Sequence, residues 1–95
     1  MEKYIPEPLD TSGVKFDEEL SALCEALAKN VHEVWSAGKL AEGWTYGERL
    51  DTEKKTHPSL VAYEELSESQ KDYDRRTSRQ TLAFVIANGF TIKKN

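Results

Sequence analysis

Between residues 17 and 37 the apolar positions recur every three or four residues. Leu20, Leu23, Cys24, Leu27, Ala28, Val31, Val34 and Trp35 form one stripe on a helix of 3.6 residues per turn. Asp17 stands where an N-cap carboxylate accepts from the first free amides, and Glu18 and Glu19 follow where the helix dipole favours negative charge. Gly38 is the expected stop, since glycine adopts the left-handed conformation that ends a helix. The spacing predicts a first helix over 17–37.

A second helix opens at "SESQ", Ser67 to Gln70, which fits a capping box: the serine hydroxyl meets the amide of Gln70 while the glutamine side chain reaches back. Its expected apolar face is Tyr73, Thr77, Leu82, Val85 and Ile86. "NGF", Asn88 to Phe90, closes it with Gly89 as a left-handed cap and Phe90 placed for the contact that accompanies a Schellman end. Residues 90–92 read as a short extended piece lying on the core, and 93–95 as a solvated tail.

Residues 1–15 read as an extended arm. Pro6 and Pro8 fix φ and bias the preceding residues towards extended geometry, and Asp10 to Gly13 supply turn chemistry. Tyr4, Ile5, Leu9 and Val14 are the expected anchors of this arm on a helical surface. Between the helices, residues 40–66 keep neither helical nor strand period, yet the stretch is too long for a plain loop. Trp44 to Tyr46 and Ser59 to Val61 are the expected extended pieces, paired as a small ribbon around a polar tip, Arg49 to Thr56. Gly43 and Gly47 are read as permitting backbone geometry that a side chain would block. The fold class is therefore mainly α with a small β component: two antiparallel helices joined by a long connector with short strands, in one domain over 1–95.

Composition narrows the function classes. Of 95 residues, 32% are charged and 38% hydrophobic, the balance of a soluble globular domain. A net charge of −4, with bases interleaved among acids, argues against nucleic acid as a partner. Cys24 is the one cysteine, so neither an intramolecular disulfide nor a cysteine-based zinc site can form. The longest apolar run, Leu82 to Ala87, is far below the ~20 residues that cross a bilayer. "MEKYIPEPLD" lacks the apolar run of a signal peptide, so a cytoplasmic location without membrane contact is the expectation.

Catalytic patterns are sparse. His32 and His57 are the two histidines and lack ligand spacing, so no metal and no cofactor is expected, and both are read as structural. Cys24 lies on the apolar stripe, where a thiol is inert. No nucleophile elbow, phosphate loop or dinucleotide motif is present, and a non-enzymatic protein is expected. "RRTS", Arg75 to Ser78, has the basic character some kinases prefer, but inside a helix it reads as a solvated face.

Aromatic residues carry the best binding signal. Trp35, Trp44, Tyr46 and Tyr63 gather at the end of the first helix and in the connector. Taken singly, each reads as capping the core, and Trp44→Ala is then expected to cost roughly 3–5 kcal/mol. The sharper reading leaves faces open to a planar ligand or a partner side chain, with Arg49, and Lys54 and Lys55 nearby, meeting an anionic group. Trp35, Trp44, Tyr46 and Arg49 are the candidate binding residues.

In order, "YIPEPLDT" (Tyr4–Thr11), "ALAKNVHEVW" (Ala26–Trp35), "GWTYG" (Gly43–Gly47), "HPSLV" (His57–Val61) and "QTLAFVIANGF" (Gln80–Phe90) give a chain that resembles the RyR domain, from Tyr4 to about Ile92. That domain is a repeat of the cytoplasmic part of ryanodine receptor calcium-release channels and also occurs in small stand-alone microbial proteins. The resemblance implies two antiparallel helices with short strands and a long loop. It also implies a peripheral interaction or regulatory module, which in the channels is paired in tandem. This chain holds one unit, so a homodimer through pairing of two repeats is the expected way to supply the other half, with a monomer as the alternative. Two readings of function follow. The first is a non-enzymatic interaction or ligand-binding module; the second is a sensor or enzyme acting on a nucleotide-like small molecule, with the same aromatics stacking and His32 or His57 as the polar contact. Full burial of Trp35 and Trp44, with no polar cleft beside them, would remove both and leave a scaffold.

Overall fold

The computed structural model describes residues 3–95. In order they form helix α1 (Glu18–Ala41), strand β1 (Thr45–Tyr46), strand β2 (Thr56–His57), a single 3-10 turn (Tyr63–Glu65) and helix α2 (Glu68–Ala87). The class is mainly helical, with a two-stranded sheet in the connector.

Helix α1 starts as its sequence dictates, with the Asp17 carboxylate accepting from the Leu20 amide at 2.8 Å. It ends three residues beyond the expected stop. Gly38 is helical, and the left-handed residue is Gly43, at φ +92°. Lys39, Leu40 and Ala41 are good helix formers, and together they outweigh one glycine's cost of about 1 kcal/mol. The Gly43 amide donates to the Leu40 carbonyl at 3.0 Å and the Trp44 amide to Lys39 at 3.0 Å, which is a Schellman end. Trp44 therefore leaves the helix at a fixed angle. Helix α2 has both hydrogen bonds of its capping box and a second Schellman end at Gly89, φ +93°.

Two arginines of α2 reach across to α1 and to the residue shortly before it. The Arg75 guanidinium holds Glu25 through two hydrogen bonds of 2.9 and 3.2 Å, and also binds Asp72 and Glu68. Arg79 stacks its guanidinium over Phe16 at 4.8 Å. Ala28 and His32 are the buried positions of α1, and the small Ser78 and Ala83 those of α2. Ser78 is 1% exposed, out of reach of any kinase while α2 is intact. Tyr73 and Thr77 point outward, unlike the face expected for them, because Lys71, Asp74, Arg75 and Ser78 set the inner seam. The core cluster joins Ala28 to Tyr63 and Leu66, with Val61 packed on it, so the connector is part of the core.

The ribbon differs from expectation in place and direction. Its second strand is Thr56–His57 rather than Ser59–Val61, and it runs parallel to the first, with Thr45 opposite Thr56 and Tyr46 opposite His57. Pro58 holds His57 extended, while Ser59 and Val61 spend their polar groups on α2 and α1. The tip doubles back through an antiparallel bridge between Asp51 and Thr56, and the Asp51 carboxylate accepts from the Glu53 and Lys54 amides. At Gly47 a Cβ would stand 2.5 Å from the Thr56 side chain, so only glycine lets the strands close here.

The arm is pinned, though by polar groups. Thr11 is buried and donates to the Gln80 side chain at 2.8 Å, and Gln80 donates to the Leu9 carbonyl at 2.9 Å. Arg79 donates to the Val14 carbonyl at 3.0 Å. Tyr4, an expected anchor, is 83% exposed, and Ile5 is exposed with it. Phe90 likewise faces solvent, contrary to the core position expected for residues 90–92.

Candidate functional site

His57 is the hinge of the site. The Pro58 restriction and the ribbon pairing project its ring between Trp35, edge-on at 4.9 Å, and Trp44 at 6.3 Å. Its Nδ1 accepts from the Ser59 amide at 3.0 Å, so the neutral ring carries its hydrogen on Nε2. Burial, then the nearby Lys39 charge, holds the imidazole below its ordinary pKa. Lys39 itself stands over the Trp44 ring at 4.8 Å.

His32, one turn before Ser36 on α1, is buried and stacks on Trp35 at 5.7 Å. Its Nε2 donates to the Val61 carbonyl at 2.7 Å, which ties α1 to the connector and leaves Nδ1 as an acceptor. On the other side Gln70 does two jobs. Its carbonyl oxygen accepts from the Ser67 amide at 3.4 Å, and its amide donates to the buried Ser59 hydroxyl. Sequence reasoning assigned Gln70 to capping alone.

These groups surround an open cleft of about 300 Å³ between α1, β2 and α2. Val31, His32 and Trp35 make one wall, His57, Ser59 and Leu66 the floor, and Gln70, Tyr73 and Asp74 the far wall. Trp35 is half-buried and lines it. Trp44 is half-buried but backs His57 from outside. Tyr46, 56% exposed, and Arg49 lie away from the cleft, and Lys55 is turned to the Glu42 carbonyl at 2.9 Å. The four expected binding residues are thus not brought together as one set. His32, His57 and Asp74 were missed as a group because their meeting depends on the connector folding back, which no local pattern signals.

Other chemistry is limited. Cys24 is partly exposed, and burial raises its thiol above the ordinary pKa, which disfavours the thiolate. Among the described residues no group of three or more His, Cys, Asp or Glu is placed to hold a metal ion, and no helix is long and apolar enough to cross a membrane.

A helical pair carrying a docked connector, with a lateral aromatic cleft where the three meet, is the class these features define. The family model for the RyR domain matches residues 4–94, and the chain belongs to that family.

Proposed function

We propose that this RyR domain is a non-enzymatic recognition module, and that its contact point is the cleft between Trp35, His57 and Asp74. One observation carries the reading: Trp35 is half-buried with its ring in the wall of an open cleft that also presents polar side chains. A residue that only capped the core would be covered. Antiparallel pairing of α1 and α2 is part of the proposal, supported by Glu25 of α1 meeting Arg75 while Phe16, just before α1, meets the later Arg79. So are a second copy of the chain as a partner and a cytoplasmic setting. The nucleotide reading is weaker in this geometry, because no Lys or Arg lines the cleft to meet a phosphate.

A thermal-shift panel of planar cations, neutral heterocycles and nucleotides tests the proposal. A ligand at 100 times its Kd adds about 2.7 kcal/mol, a shift of several degrees or more for a domain this small. At least one class is expected to raise the melting temperature of the native chain and to lose that effect in Trp35→Ala. Shifts that survive Trp35→Ala would place recognition elsewhere.

A further inference from the structure

The cleft has a consistent polarity. Asp74 is half-buried and, among the described residues, its carboxylate has neither a salt bridge nor a hydrogen bond. His32 Nδ1 is likewise without a partner, since both contacts of that ring use Nε2. Asp74 and His32 thus both line a cleft whose lining contains no permanent cation. Of its cationic neighbours in sequence, Arg76 lines a different groove, with Pro8 and Gln80, and the Lys71 ammonium meets Glu68 at 3.5 Å and stands over the Tyr63 ring at 5.9 Å. Arg75 is saturated by three carboxylates.

An aromatic ring beside unpaired acceptors matches one chemical group best. A guanidinium is a planar cation with donors only. It stacks on an indole face while its edge donates to a carboxylate, and it is more weakly hydrated than an ammonium. The rim adds the aromatic surface of Tyr73, 69% exposed, which a free small molecule in a cleft of this size would leave in water.

We infer that the cleft takes the guanidinium of an arginine side chain presented by a partner polypeptide, stacked on Trp35 and held by Asp74; this rests on the reading of the cleft as the recognition site. It also reverses the polarity of the anionic ligand expected from Arg49, Lys54 and Lys55.

The test titrates the full chain, observed by the Trp35 indole NH resonance, with the Nα-acetyl amides of arginine, lysine and citrulline, and with a short arginine peptide bearing a flanking aromatic. The arginine amide is expected to bind weakly, with Kd on the order of 1 mM. Citrulline, its uncharged isostere, is expected to bind at least tenfold more weakly and lysine in between. The peptide is expected to bind more tightly than the amide. In Asp74→Asn, which breaks no bond of the fold, the arginine amide should lose at least tenfold. Citrulline binding as well as arginine would overturn the guanidinium assignment while keeping the recognition cleft, as would a neutral heterocycle or nucleotide as the sole binder. A peptide no tighter than the amide would overturn the polypeptide source. If no compound moves the Trp35 resonance, both this inference and the reading under it fail.

Discussion

His57 joins the connector to both tryptophans. Its ring fills the space between Trp35 and Trp44, and its Nδ1 takes the Ser59 amide, a bond that protonation would replace with two opposed donors. The sign of the pH effect follows from this. The folded-state pKa lies below the ordinary 6.5, so the unfolded chain binds the proton more readily as pH falls through that value. Stability is full above about pH 6.5 and declines below it. Urea unfolding at pH 7.5 and 5.5 should show the native chain less stable at the lower pH, and His57→Gln should flatten the difference. An unchanged difference in the variant would assign it to other groups. Trp44, being half-buried, should also cost less than a core aromatic: Trp44→Ala is expected to lose about 2 kcal/mol, read by the same method, in place of the larger loss its sequence suggests. A loss beyond 4 kcal/mol would mean the ring is covered.

The helix ends are the best-determined elements, and they make opposite predictions for two glycines. Gly38 lies within α1 with open space around its Cβ position, whereas Gly43 sits at φ +92°. Gly38→Ala should therefore raise stability by up to about 1 kcal/mol, and Gly43→Ala should lower it by about 1 kcal/mol or more. Equal effects of one sign would place the end of α1 elsewhere. The contrast also shows what the sequence could reveal. The Asp17 cap, the capping box and the Gly89 end were legible because each depends on residues within five positions of one another, while the α1 stripe holds only in part, since Leu23 and Val34 are exposed. The true end of α1 was not, since three helix formers had to be weighed against one glycine. The parallel ribbon and the Thr11–Gln80 clasp join residues far apart in the chain, and no periodicity encodes them. The site followed the same rule: Trp35 was legible from composition and helix position, but its partners His57 and Asp74 meet it only after the connector returns.

At the scale of the whole molecule the domain is open. Its radius of gyration is 16.3 Å, against about 12 Å for a compact domain of this length. Its accessible surface is 7701 Å², against roughly 5,500 Å² expected for 10.8 kDa. The extended arm and the flat, 23 Å thin dimension account for the excess, which exposes Tyr4, Ile5, Leu9 and Phe90. This excess is larger than the roughly 800 Å² that each partner contributes to a standard interface, so the surface has room for the proposed second copy. Sedimentation equilibrium should return twice 10.8 kDa at micromolar concentration, and a mass of 10.8 kDa throughout would contradict the dimer.

The shape of the cleft depends on the connector bringing His57 between the two tryptophans. Proton NMR tests that placement directly. The account predicts cross-peaks from the His57 ring protons to the indole protons of both Trp35 and Trp44, with the imidazole resonances displaced by the neighbouring rings. Imidazole resonances at their solvent-exposed positions, without contact to Trp35, would contradict it.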